Sequence, residues 1–302
     1  MMLLFRTPSS FAWLSIAAAV TTVGLKALAY YLTGSVGLLS DAIESLVNLL
    51  AGVMALVALS IAARPPDSHH PYGHGKAEYF SSIAEGIFIF VAAGTIASTA
   101  IQRILHPIPI ELSVVGIGVS ILASLINLVV AIALFRAGKR FRSITLTSDA
   151  HHLMTDVWTS VAVVLGIGVV MVSDIQVLDP IIAIAVSLNI VFSAVAIIRE
   201  SAQGFMDTAI SDSDIEEVKS VLDTYCSKGV SYHGLRTRQS GSRRFVTFHV
   251  LVPGQWTVQK GHDLLEKMEQ SLRRHFDKMT ITTHLEPRED PASSKDISID
   301  RE

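Results

Sequence analysis

Ahead of Arg199 the chain reads as long apolar runs broken by short polar clusters, with none of the alternation of a half-buried strand. A membrane-spanning helix needs about 20 mostly apolar residues. Six stretches meet that length: roughly 11–32, 36–63, 80–105, 112–135, 147–172 and 178–198. Thr33-Gly34, Pro65-Pro66 and His106-Pro107 punctuate them, as residues that end helices should. After Asp207 the pattern changes. Ser211-Asp212-Ser213-Asp214 followed by Ile215, Val218, Leu222 and Tyr225 predicts a capped amphipathic helix. Phe245 to Val252 predicts a strand, preceded by a shorter one from Tyr232 to Thr237 across Gln239-Ser240-Gly241-Ser242. Val258 to Phe276 predicts a second helix, with Leu264, Leu265, Met268 and Leu272 on one face, and Met279 to His284 a last strand. The order helix–strand–strand–helix–strand suits a small α+β domain with its helices on one sheet face. The expected division is a six-helix membrane domain over 1–206, an α+β domain over 207–287 and a polar, disordered tail over 288–302.

Composition supports the division. Half the residues are hydrophobic, mean hydropathy is +0.47 and only 17% are charged, against about 25% in a soluble domain. A net charge of -3 without a basic block gives no reason to expect nucleic acid. The lone Cys226 excludes an intrachain disulfide and a multi-cysteine zinc site, so any metal falls to His, Asp and Glu. Arg6 and Pro8-Ser9-Ser10 lead into the first run without a small-residue cleavage site, so a retained span is expected rather than a signal peptide. Arg64 and Lys76 lie between spans two and three, and Arg136, Lys139, Arg140 and Arg142 between four and five. The loops on the other side are poor in Lys and Arg, which places both termini in the cytoplasm of a multi-pass protein.

Inside this apolar background, Asp149, His152 and Asp156 fall at helical spacing on one face of the fifth span. Asp41, Glu44 and Asn48 repeat the pattern in the second. A central Asp costs a span about 2.5–3.5 kcal/mol, so such groups mark function. If the two helices touch, Glu44, Asn48, His152 and Asp156 offer a divalent cation four ligands. The structural alternative, a hydrogen bond gluing two helices, returns only about 0.6 kcal/mol on average. Asp41 and Asp149 would line a water path or hold the ligands.

Two further groups are rich in ligands. The loop Asp67-Ser68-His69-His70-Pro71-Tyr72-Gly73-His74-Gly75-Lys76 can converge Asp67, His70 and His74, with glycines on either side of His74; its alternative is a solvated polar loop. The soluble domain holds His233, His249, His262, His284 and Glu286, where the alternative for any one histidine is an ordinary surface or packed residue. His106 and His275 read as ordinary residues of that kind.

Gly34-Ser35-Val36 with Leu38-Leu39, the His70-Pro71-Tyr72-Gly73-His74-Gly75-Lys76-Ala77-Glu78 loop, His152-x-x-x-Asp156 and Leu235-Arg236-Thr237-Arg238-Gln239-Ser240-Gly241 together resemble the cation diffusion facilitator family, of the bacterial zinc/iron-efflux type. The resemblance covers nearly all of the chain but the tail. It implies a homodimeric secondary transporter of the inner membrane, not an enzyme, that expels divalent metal against inward protons. It implies transport at Glu44, Asn48, His152 and Asp156, a loop site at Asp67, His70 and His74, and a regulatory site at His233, His249, His262, His284 and Glu286. It also implies a ferredoxin-like, metallochaperone-like cytoplasmic domain and a charge pair, Lys76 with Asp207, tying the dimer together at the membrane surface.

The chain departs from the family pattern where selectivity is set. Zinc members typically have Asp or His and then Asp where Glu44 and Asn48 stand, and many relatives have Asp where Glu286 stands. A set of carboxylate, amide and imidazole suits Fe²⁺, Mn²⁺ and Co²⁺ as well as Zn²⁺. Protons compete with metal for imidazole and carboxylate atoms, so the expected cycle trades metal for protons at a site alternately open to each side. Two other classes compete. A membrane-anchored metal sensor that moves nothing is kept open by neutral Asn48. A membrane metalloprotease lacks its His-Glu-x-x-His signature here.

Overall fold

The computed structural model describes residues 7–33, 36–106, 114–173, 175, 177–227 and 229–293, though not every side chain within the helices. Two compact units result, Met1–Ala202 and Gln203–Glu302.

The first unit is built from six helices: α1 (Pro8–Thr33), α2 (Val36–Ala62), α3 (Ala77–Leu105), α4 (Val114–Phe141), α5 (Ile144–Ser173) and α6 (Leu178–Phe205). At 1.5 Å per residue each is longer than the roughly 30 Å of hydrocarbon. On their described residues, Pro8–Leu32, Ala77–Leu105, Ile117–Phe141 and Pro180–Phe205 are each apolar enough to cross a membrane, while in α2 the described apolar stretch is Asn48–Ala62. Helices α4 and α6 run six or seven residues past the expected apolar limits. Helical propensity accounts for this: Arg, Lys, Ala and Gln continue a helix well once it has left the lipid. Only Arg142, in a left-handed conformation (φ 52°), and Ser143 then separate α4 from α5.

Packing in this unit is close and lined with small residues. Ala12 of α1, Ala131 and Leu134 of α4, and Ala150 and Leu146 of α5 are fully buried in one cluster. A second cluster joins Ile89 and Ala93 of α3 to Ile190, Ala194 and Ile197 of α6. A Cβ at Gly86 would meet the Ile198 side chain at 2.6 Å, so only glycine lets α3 come this near α6. Small residues let helices approach in lipid, where packing rather than water exclusion drives association. Phe192 is 74% and Val129 68% exposed. In water such a surface invites aggregation; in lipid it faces a solvent as apolar as itself.

The second unit contains α7 (Asp212–Asp223), β1 (Ser231–Ser240), β2 (Arg243–Val252), α8 (Val258–His275) and β3 (Met279–Pro287). Ser211 caps α7 by accepting the Asp214 N–H, and Thr257 caps α8 by accepting that of Lys260. The sheet order is β1-β2-β3, with β1 and β2 antiparallel and β2 and β3 parallel. The β1–β2 hairpin is tighter than the sequence suggested. Both strands run up to Gly241-Ser242, and Gly241 takes the positive φ (56°) that such a turn requires. Val246, Phe248, Val250 and Val252 of β2 face the core with Val218 and Leu222 of α7, Met268 and Leu272 of α8 and Ile281 of β3. A ferredoxin-like fold has the order βαββαβ; among the described residues the first strand is missing, which leaves β3 parallel to β2. Period two then puts Thr247 and His249 on the sheet face away from the helices.

The start of the tail also differs from expectation. The Arg288 N–H donates to the Val252 carbonyl (2.8 Å), and the Ser293 hydroxyl to the Pro287 carbonyl (2.9 Å), so 288–293 fold back in turns against the end of the sheet. Residues 294–302 lie outside the described residues.

Candidate metal-transport site

Helix α5 stacks Asp149, His152 and Asp156 one turn apart, and α2 and α4 bring a carboxamide each. Asn48 of α2 and His152 are both buried, and His152 Nε2 is 2.5 Å from Asn48 Oδ1. The other end of the same amide, Asn48 Nδ2, donates to Asp156 Oδ2. One carboxamide therefore spans imidazole and carboxylate and holds them at ligand spacing. With its Oδ1 accepting, His152 carries its hydrogen on Nε2, and its Nδ1 is buried without a partner. Asn127 of α4 also donates to Asp156 Oδ2, at 3.0 Å, while its own Oδ1 is buried with no donor. Three of the four expected transport ligands thus meet. Glu44 and its neighbour Asp41 belong to α2, but their side chains lie outside the described residues.

Asp149 is fully buried and accepts from Ser15 of α1 at 3.1 Å. Two buried polar residues escaped the sequence reading, and a third, Glu78, was read only as the end of the loop motif. Asn127 is one. Glu85 of α3 is fully buried and accepts from Ser81 at 3.1 Å. Glu78, at the start of α3, accepts from the Ser143 hydroxyl, and its backbone carbonyl from Thr145 (3.2 Å). For Asn127 and Glu85 the signal was the same: a polar residue in a span, outside the two recognised repeats.

The loop site forms from local geometry. Asp67 Oδ1 accepts the backbone N–H groups of His69 (2.9 Å) and His70 (2.7 Å), an Asx-type turn. The backbone donor from His70, above all, holds the Asp67 carboxyl below the usual carboxylate range. Gly73, at φ 85°, turns the chain so that His74 Nε2 comes within 3.3 Å of Asp67 Oδ2, with His70 Nδ1 3.1 Å from Oδ1. One ligand atom from each of Asp67, His70 and His74 lies within 4.8 Å of the others.

The cytoplasmic cluster is a product of strand register. His233, His249 and His284 are direct cross-strand partners on β1, β2 and β3. Glu286, two residues after His284 and buried, accepts from His233 Nε2 at 2.7 Å and lies 2.8 Å from His249 Nδ1. His284 is more exposed, 3.7 Å from Glu286. Imidazoles around one carboxylate suit a borderline cation such as Zn²⁺. His262 is exposed on α8, which packs on the other sheet face, and does not join this group within one chain. Asp207, at φ 55°, accepts from Arg238 at 3.2 Å. Its expected partner Lys76 belongs to the other unit.

Residues 12–206 match the family model of the cation efflux transmembrane domain, and residues 210–288 that of the cation efflux protein cytoplasmic domain. An uncharacterized transporter of Synechocystis is 49% identical over 95% of this chain and 93% of its own. The cation-efflux pump FieF of Salmonella arizonae is 29% identical over 90% of each chain. A solved structure of the putative zinc transporter CzrB is 29% identical, covering 26% of this chain and 96% of its own at a TM-score of 0.25. With one model spanning the helices that carry the buried His152–Asn48–Asp156 network and the other the domain that carries the histidine row, the chain belongs to the cation diffusion facilitator family and is a multi-pass cation efflux transporter, not an enzyme.

Proposed function

We propose that this protein exports a divalent metal ion, with Zn²⁺ foremost and Fe²⁺, Mn²⁺ and Co²⁺ as further substrates, in exchange for inward protons. The observation that carries the proposal is the buried Asn48 amide spanning His152 and Asp156. Such a network costs more to bury than its hydrogen bonds return, unless a cation uses it. A metal arriving from the cytoplasm takes the His152 nitrogen, the Asp156 carboxylate and the Asn48 carbonyl oxygen, with Glu44 completing the set. For Nε2 to bind, the hydrogen it carries must first move off that nitrogen, because metal and proton compete for the same lone pair. Rocking of the helices then exposes the site outward, and protons entering from outside release the metal.

The protein acts as a homodimer in the inner membrane, with both termini cytoplasmic and with Lys76 and Asp207 pairing at the membrane surface. Metal at Asp67, His70 and His74, and at the row of His233, His249, His284 and Glu286 with His262 supplied across the dimer, reports the cytoplasmic level and biases the transport conformation. Purified protein in proteoliposomes, loaded with a pH dye and offered the four metals in competition, tests the exchange. Metal uptake coupled to proton flux, lost in Asp156→Ala, is expected. A His152→Ala protein that retained full pH-dependent flux would refute the assignment.

A further inference from the structure

We propose that Glu85 and Asp149 form a proton-carrying carboxyl pair, a second protonation site separate from the metal ligands; this rests on the proton-exchange reading above.

The register of the two helices brings the residues together. Thr145 and Ser143 at the start of α5 both bond Glu78 at the start of α3, and both helices ascend from that contact. Glu85 lies seven residues beyond Glu78, a rise of about 10 Å, and Asp149 four beyond Thr145, a rise of about 6 Å. They stand within one helical turn of each other in height, on two helices that pack together. Both side chains are 0% exposed. Each accepts one hydroxyl, Ser81 for Glu85 and Ser15 for Asp149. The second oxygen of each, Glu85 Oε2 and Asp149 Oδ2, is buried with no partner.

No described cation offsets this pair. Helix α1 contributes Ser15, with its half-buried Lys26 eleven residues further, about 16 Å along the axis. Helix α4 contributes neutral Asn127, and its Arg136, Lys139 and Arg140 are exposed, as are Arg199 and Glu200 of α6. On α5 the nearest titratable groups are His152, turned to Asn48, and His151, packed edge-to-face on Phe135 at 4.9 Å. Asp41 and Glu44 of α2 lie outside the described side chains.

An ionised carboxylate has about four lone-pair sites, and here each carboxyl is given one neutral donor. Two like charges in that setting repel and lack solvation, so the pair holds a proton, as neighbouring carboxyls do elsewhere. That proton turns one unpartnered oxygen into an O–H donor. Asp149 is one turn below His152, so a dication bound there repels the proton. The O–H bond breaks, the proton leaves to water and a carboxylate remains to balance the metal. Buried hydroxyls lie at both ends of the way to Glu78: Ser81 bonds Glu85, and Ser82, Ser143 and Thr145 bond Glu78.

Infrared difference spectroscopy on the full-length protein tests the pair directly. At neutral pH the wild type should show a protonated-carboxyl C=O band that weakens when Zn²⁺ is added and is missing in Glu85→Gln and Asp149→Asn. In proteoliposomes, each variant should carry fewer protons per Zn²⁺, by about one, with a flatter pH profile. A wild type without the band, or two variants with the wild-type band and wild-type proton-to-metal ratio, overturns the pair. Zn²⁺ transport by the wild type with no proton flux overturns the exchange reading and the pair together. Normal exchange in the wild type with unchanged variants overturns the pair alone.

Discussion

Replacing Asn127 by Leu separates a functional hydrogen bond from a structural one. Asn127 Nδ2 donates to Asp156 Oδ2 at 3.0 Å, while Asn127 Oδ1 is buried with no donor. Losing a hydrogen bond to a charged acceptor costs about 1.5–3 kcal/mol, and an unsatisfied buried carbonyl costs about 1–3 kcal/mol. Leucine has nearly the same volume and removes both, so the two nearly cancel and thermal stability should barely move. Metal binding gains no such cancellation. Asp156 loses the second of its two carboxamide donors and can rotate away from His152. Loss of a partner that orients a metal ligand weakens affinity about 10- to 100-fold, which is about 1.4–2.8 kcal/mol. The assay is the KM for Zn²⁺ in proteoliposome flux, alongside a melting curve of the same preparation. A KM at least tenfold higher with an unchanged melt is expected. An unchanged KM with a fallen melting temperature would refute the reasoning and make Asn127 a structural residue only.

Three further outcomes follow from the cytoplasmic domain. Glu286→Gln removes the charge shared by His233 and His249, so the full-length protein should need about tenfold more Zn²⁺ for half-maximal activation of flux; an unchanged activation curve would contradict a sensing role. Tyr232 has its hydroxyl pKa pushed up from 10.0 to about 12, by burial first and then by its hydrogen bond to Asp223. The folded state therefore keeps a proton that the unfolded chain loses, so this contribution to stability is complete below pH 10.0 and declines between there and about 12; absorbance titration should show its phenolate only above the unfolded value. A Cβ at Gly261 would lie 2.1 Å from the Leu285 Cδ2. Gly261→Ala should destabilise the cytoplasmic domain by about 1–3 kcal/mol through overpacking against β3, read by its thermal unfolding, and a neutral change would show that α8 is free to shift.

How far the sequence could be read depended on whether a feature was local. Helix existence is a matter of apolar length, and six runs became six helices. Their ends were not legible at α4 and α6, because hydropathy marks where lipid stops and propensity marks where a helix stops. In the soluble domain, the strand-like run 245–252 became β2. It could not say that β3 would lie parallel to β2, since pairing partners are chosen by packing across the whole sheet. The loop triad of Asp67, His70 and His74 was readable because eight residues, a turn glycine among them, suffice to close it.

Sequence alone therefore determined the membrane and soluble halves, the helical stacking of Asp149, His152 and Asp156, and the stock of ligands, since each follows from composition or from a period of 3.6 within one element. Tertiary structure decided which groups meet. Asn48 bridges His152 and Asp156 only because α2 packs on α5, and Asn127 joins them only from α4. Glu85 and Asp149 reach one level through the register of α3 against α5, and three histidines line up only through strand pairing. Contacts between residues thirty to a hundred positions apart carry no local pattern; they exist because burying apolar surface fixes how the elements pack, and the polar groups are carried into place with it.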